Sequence, residues 1–213
     1  MQSEELIMAL AADTRPVAPR LVERRIALGL VTGALATLVV MLVFSGLRPD
    51  IADAMHGFSF WMKWAYTASL AAIAIGGVIH VARPDAPRMP WLWLAILPVL
   101  AVASLAAREL MLTPEAQWMP MWMGHSWQQC SLSMLGLSLP VFGGLIWSFR
   151  KLAPTNLRQA GAVAGLAAGA VGGTVYGLHC PEVSATFVIT WYTLGMAAAA
   201  GLGALLGPRL LRW

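Results

Sequence analysis

The chain has 213 residues, of which 59% are hydrophobic and 11% charged, with a mean hydropathy of +0.70. Soluble domains carry about 25% charged residues, so this composition cannot cover a water-facing surface, and the size suits one helical bundle in a membrane. The net charge of +4 lies in short loops between apolar runs, where arginine sets membrane orientation rather than contact with nucleic acid.

Residues 1–25 form the only substantial polar segment. Ser3, Glu4 and Glu5 suit the start of a short amphipathic helix, because anionic groups favour a helix N-terminus. Leu6, Ile7 and Leu10 fall on one face of it, and Pro16 and Pro19 end it before Arg20, Arg24 and Arg25. The next run is too long for a signal-peptide core and is closed by no small-residue cleavage site.

Six spans follow, over about residues 26–46, 62–82, 91–108, 127–149, 159–178 and 185–207, each long enough for a bilayer core of roughly 30 Å. The reading is an all-α, six-transmembrane-helix bundle in two parts: a cytoplasmic segment 1–25 and a membrane domain 26–213. With the N-terminus inside, Arg15, Arg20, Arg24, Arg25, Arg83, Arg88, Arg150, Lys151, Arg158, Arg209 and Arg212 lie on the inner side. Only Arg48, Lys63 and Arg108 lie outside. That asymmetry predicts cytoplasmic N- and C-termini. No charged residue is expected deep inside a span, which argues against an ion-coupled pump.

The fifth span carries Gly161, Gly165, Gly169, Gly173 and Gly177 at every fourth position, and the sixth answers with Gly195, Ala199, Gly203 and Gly207. On a helix that spacing makes a stripe without side chains, which lets another helix approach backbone to backbone. A packed hairpin is expected, with His179-Cys180-Pro181-Glu182 at its tip.

Cys130 opens the fourth span and Cys180 closes the fifth, so both sit at the outer face, where thiols can be oxidised. His125 precedes Cys130 and His179 precedes Cys180; imidazole beside a thiol raises its reactivity or joins it in binding metal. One reading is a structural disulfide or two inert thiols. The other is a redox- or metal-responsive pair, with Cys130, Cys180 and His125 as metal ligands. A disulfide-exchange enzyme would offer Cys-x-x-Cys, which this chain lacks.

The loop with Met119, Met121, Met123 and His125 offers soft ligands, although methionine and tryptophan there also suit the headgroup region. It supports an alternative function as a small transporter or metal-handling membrane protein. Glu182 is placed to cap the sixth helix or to pair with His179.

Leu6-Ile7, Leu10-Ala11-Ala12-Asp13, Pro16-Val17, the six spans and His179-Cys180-Pro181-Glu182 followed by Phe187 and Trp191-Tyr192 resemble the NrsF-type membrane proteins. These are negative regulators of the extracytoplasmic-function sigma factor sigma F. The resemblance implies a non-enzymatic anti-sigma factor of the bacterial inner membrane with no resident cofactor. It would hold its sigma factor at the cytoplasmic face, without touching nucleic acid itself. Release would follow envelope or heavy-metal stress at Cys130 and Cys180, with a metal ion bound there only transiently. His179, His125 and Glu182 would assist sensing, while Leu6, Ile7, Leu10, Asp13, Arg15 and Pro16 would bind the partner. Coupling is expected through a shift of the fourth helix against the glycine groove of the fifth.

Overall fold

A computed structural model describes residues 3–12, 20–83, 90–152 and 154–212; among them there is no strand. The helices are α1 (Ser3–Ala12), α2 (Leu21–Phe44), α3 (Ile51–Ala54), α4 (Phe58–Val81), α5 (Ile96–Leu112) and α6 (Trp118–Met123). They continue with α7 (Trp127–Phe149), α8 (Leu157–Tyr176), α9 (Ala185–Phe187) and α10 (Thr193–Leu210). One π-helical turn, Val188–Tyr192, joins α9 and α10 into a continuous rod.

Five stretches are long and apolar enough to cross a membrane: Leu21–Phe44, Phe58–Val81, Leu92–Leu112, Glu115–Phe149 and Ala185–Leu210. The glycine-rich α8 has the length, 20 residues, but glycine and alanine dilute its apolarity. It is also the helix most enclosed by others, with Ala160, Ala164, Ala167, Ala168 and Ala170 fully buried. The predicted fourth span coincides with α7. The second begins at Phe58 rather than 62, because the aromatic run Phe58-Ser59-Phe60-Trp61 is already helical.

Large apolar side chains are exposed around the bundle as well as buried within it. Along α2 the inward face carries Ile26 and Met41 near its ends and small or polar Gly29, Gly33 and Thr37 between them, whereas Leu28, Val31, Leu35, Val39 and Val43 are exposed. Helices facing lipid gain nothing from hiding leucine, so close backbone contact and interhelical hydrogen bonds hold the bundle together.

Two such contacts organise it. A Cβ on Gly161 would collide with the Gly203 carbonyl and lie 2.8 Å from Gly207 Cα, and one on Gly165 would strike the Ala199 carbonyl. Thus α8 and α10 form the expected hairpin. The stripe changes partner along its length, since Gly173 meets Met134 and Thr67, and Gly177 meets Trp64. The second contact is one that sequence reading missed. Gly29 and Gly33 of α2 lie against Gly144 and Val141 of α7, with Val141 Cα only 2.6 Å from a Cβ placed on Gly33. Thr37 Oγ1 donates to the Leu137 carbonyl at 2.9 Å in the same seam.

The groove from Gly161 to Gly169 is filled by α10, while α7 makes its closest backbone approach to α2 and meets α8 at Gly172 and, through Met134, at Gly173. The glycines of α7, Gly136, Gly143 and Gly144, form no run at every fourth position, since Pro140 stands between Gly136 and Gly144, so that helix shows no stripe to read.

Candidate functional site

The site lies at the end of the bundle where α8 stops. The Tyr176 carbonyl receives the amides of both His179 and Cys180, at 2.9 and 3.0 Å, and the chain then turns sharply out of the helix, with residues 180–184 non-helical. This carries Cys180 inward against Cys130, the fourth residue of α7. Both cysteines are free and fully buried, and their thiols face each other within hydrogen-bonding reach.

Two cations close on the Cys180 backbone. Lys63 Nζ donates to the Cys180 carbonyl at 2.9 Å and to the Glu182 carbonyl at 2.7 Å, and Arg48 Nη1 reaches the Cys180 carbonyl at 3.4 Å. Arg48 is held in turn by Asp50, through Nε to Oδ1 at 2.8 Å and Nη2 to Oδ2 at 2.6 Å, the two-pronged geometry of a strong pair. That guanidinium keeps the Asp50 carboxyl below the usual carboxylate range. Lys63 is only 1% exposed, and among the described residues no carboxylate forms an ion pair with it. Lys63 lies in the second turn of α4, near the start of the span rather than deep inside it. The Cys180 thiol is held below the ordinary thiol range, chiefly by the Cys130 thiol donating to it and also by the Lys63 ammonium, against the opposing effect of burial.

Two carboxylates cap helices other than their own. Glu182 Oε1 accepts from the His125 amide at 2.7 Å, the Ser126 amide at 3.1 Å and Ser126 Oγ at 3.0 Å. It therefore caps α7, not the sixth helix, and it has no bond to His179. The last rod is capped by Ser184 and by Glu109 from the end of α5. Glu109 Oε2 accepts from Ser184 Oγ, the Thr186 amide and Thr186 Oγ at 2.9, 2.9 and 3.0 Å. Free N–H groups at a helix start take any anion that tertiary structure brings, so sequence adjacency misassigned the pair.

The two histidines do not join the thiols. His179 Nδ1 lies 3.1 Å from the Gly46 carbonyl and its ring leans on Tyr176, while His125 is exposed. Among the described residues no three of His, Cys, Asp and Glu gather as a metal cage, so the set Cys130, Cys180 and His125 is not assembled. The methionine loop packs through its tryptophans. Trp122 Nε1 donates to Thr190 Oγ1 at 3.1 Å, and the Trp191 indole donates back to the Trp122 carbonyl at 2.9 Å.

Gly124 ends α6 with φ +57°, and a Cβ there would sit 2.6 Å from Glu182 Oε2. Gly124→Ala is expected to cost about 1–3 kcal/mol through backbone strain and displacement of the carboxylate. Thermal unfolding of the purified protein in detergent checks this; a melting point equal to wild type refutes the close approach.

Tyr192 completes the cluster. It lies in the π turn, its ring fully buried, and its hydroxyl is directed at the Cys180 sulfur with no nitrogen or oxygen partner. Tyr176 faces Cys130. Sequence reading missed Lys63, Arg48, Glu109, Tyr176 and Tyr192 as members of the site. Lys63 alone carried a signal, as a lysine in the aromatic run Phe58–Tyr66 with no acid near it.

At the other end, α1 is helical as expected, with Ile7 and Met8 exposed at 63% and 74%. Asp13, Arg15 and Pro16 lie outside the described residues, as do the side chains of Leu6 and Leu10 and the turn at 84–88.

Comparison with known proteins agrees with the resemblance in the sequence. The family model described as "Negative regulator of sigma F" matches residues 10–213. A protein of Azospira oryzae named "Probable anti-sigma-F factor NrsF" is 39% identical over 214 residues, covering all of both chains. The "Anti-sigma-F factor NrsF" of Caulobacter vibrioides is 37% identical over 220 residues, again covering both in full. No solved structure matches. The match to the family model and the full-length likeness to both relatives lead to one conclusion: this chain belongs to the NrsF family of negative regulators of sigma F.

Proposed function

We propose that the protein is a multi-pass anti-sigma factor of the bacterial inner membrane, with six spans and both termini in the cytoplasm. It holds an extracytoplasmic-function sigma factor through residues 1–25 and releases it when Cys130 and Cys180 are oxidised on the periplasmic side. The names of the two relatives support the anti-sigma role. The arginine asymmetry supports the orientation. The sensor reading rests on one observation: two reduced thiols meet inside a charged cluster at the end of α8 remote from Arg158.

Contacts at the two ends of α7 support a route between them. The α7 rod is capped by Glu182 in the cysteine loop. Near its far end Ser148 Oγ donates to the Arg25 carbonyl at 3.0 Å, Arg25 Nε returns a bond to the Ser148 carbonyl at 3.3 Å, and the guanidinium lies 4.7 Å over the Trp147 ring. Arg25 closes the segment proposed to hold the sigma factor. A change in the cysteine loop thus biases α7 and, through it, the base of the N-terminal segment. Exposed Ile7 and Met8 suit a helix that docks in a groove.

The test is capture of the purified sigma factor by full-length protein in detergent, with and without a thiol oxidant. Wild type is expected to bind and then release on oxidation. A variant lacking residues 2–19 should not bind, and Cys130→Ser/Cys180→Ser should bind without releasing. Release from the double variant to the wild-type extent overturns the sensor reading, and full binding without the N-terminal segment overturns the docking reading.

A further inference from the structure

The two thiols are not equivalent in this structure. Cys130 is fixed within a helix, and the amides before it are already satisfied by Glu182, which cancels the positive end of α7 as a source of thiolate stabilisation. Cys180 is in the non-helical turn, and its own carbonyl receives both Lys63 and Arg48. A buried ammonium is costly unless an anion balances it. With no carboxylate in ion-pair contact among the described residues, the Cys180 sulfur is the group placed to carry that anion. The Tyr192 hydroxyl supplies an independent sign: it is buried, is directed at the Cys180 sulfur and has no other acceptor. The π turn puts it there, a distortion often found at functional sites. An oxygen atom added to the Cys180 sulfur would give that hydroxyl a stronger acceptor than the sulfur itself.

We propose that Cys180 is the thiol attacked first by the oxidant and Cys130 the one that resolves it, with Lys63 as the positioning residue that holds Cys180 ready. This deepens the sensor reading above and rests on it. With a hydroperoxide as oxidant, the Cys180 thiolate attacks the terminal oxygen and the O–O bond breaks. Cys180 becomes a sulfenic acid, and the alkoxide takes a proton to leave as an alcohol (water for hydrogen peroxide). The Cys130 sulfur then attacks Cys180; the S–S bond forms, the S–O bond breaks, and the hydroxide leaves as water with the Cys130 proton. Two thiols lose two electrons to one peroxide.

The experiment uses purified full-length single-cysteine variants in detergent, treated with hydrogen peroxide and a sulfenic-acid trap such as dimedone, and read by mass spectrometry. Cys130→Ser keeps a hydroxyl donor beside Cys180 and is expected to give the adduct on Cys180. Cys180→Ser is expected to give none on Cys130. In the Cys130→Ser background, Lys63→Met should slow alkylation of Cys180 by N-ethylmaleimide about tenfold near neutral pH, because the thiolate is the reacting form. Lys63→Arg should restore most of the rate. Neither change should alter the Cys130 rate in the Cys180→Ser background, which controls for misfolding.

The groups facing Cys180 are Lys63, Arg48, Glu182, Cys130, Tyr176 and Tyr192. Its lowered position means that the fast rate persists as pH falls below the ordinary thiol value. It is lost only through the lower, folded value, and Lys63→Met moves that step upward. Adducts on both sulfurs, on Cys130 alone or on neither overturn the assignment, as does a Cys180 rate indifferent to Lys63→Met. None of these readouts involves the sigma factor, so the assignment and the sensor reading fail separately.

Discussion

Gly161→Leu is expected to cost at least about 3 kcal/mol, the upper end of what overpacking a well-filled interface costs. The added side chain has no room, since even its Cβ overlaps the Gly203 carbonyl and comes 2.8 Å from Gly207 Cα, and both obstacles are backbone. A flexible neighbour could rotate away; a helix backbone cannot, so α8 and α10 must separate. That separation would remove the contact that seats the most enclosed helix of the bundle. Gly201→Leu is the matched control, because a Cβ at Gly201 meets nothing within 4 Å. It should leave the melting temperature in detergent within the range of a neutral surface change, about 0.5 kcal/mol. If the two variants melt alike, the α8–α10 approach is wrong.

Glu182→Ala is expected to have the second-largest effect, about 2–3 kcal/mol, and to change behaviour as well as stability. The carboxylate accepts three hydrogen bonds at the start of α7, and charged acceptors contribute more per bond than neutral ones. Removing it leaves the His125 and Ser126 amides unsatisfied and cuts the side-chain tie between the cysteine turn and α7. On the proposed route, the variant still forms the Cys130–Cys180 disulfide on oxidation, yet the sigma factor stays bound. Glu182→Gln keeps an acceptor without the charge and should fall between alanine and wild type in stability. Equal melting points for all three proteins would show that Glu182 does not cap α7. Normal release from Glu182→Ala would remove α7 from the signalling route.

How much was legible in advance follows from what kind of information each feature carries. The apolar runs and their arginine borders are local, and bilayer thickness sets their length, so α7 was placed to the residue. The glycine stripe is periodic, so its packing role was visible in Gly161, Gly165 and Gly169. The pairing of Gly29 and Gly33 with Gly144 was not, because one of its two helices shows no period. The cysteines drew notice by rarity and the family by His179-Cys180-Pro181-Glu182, both properties of the chain read in one dimension.

Tertiary structure decided the rest. Cys130 on α7 and Cys180 in the turn after α8 meet only because α8 packs against α7 and the chain then turns at Tyr176. Lys63, Arg48 and Glu109 enter the site from three other segments, and Glu182 crosses to a helix that precedes it in the chain. A charge or hydrogen-bonding group pairs with whatever partner lies within about 3 Å, and that distance is unrelated to separation along the sequence. Hydrophobic periodicity specifies which helices form and which faces pack, whereas the partners of a buried polar side chain exist only once the helices have assembled.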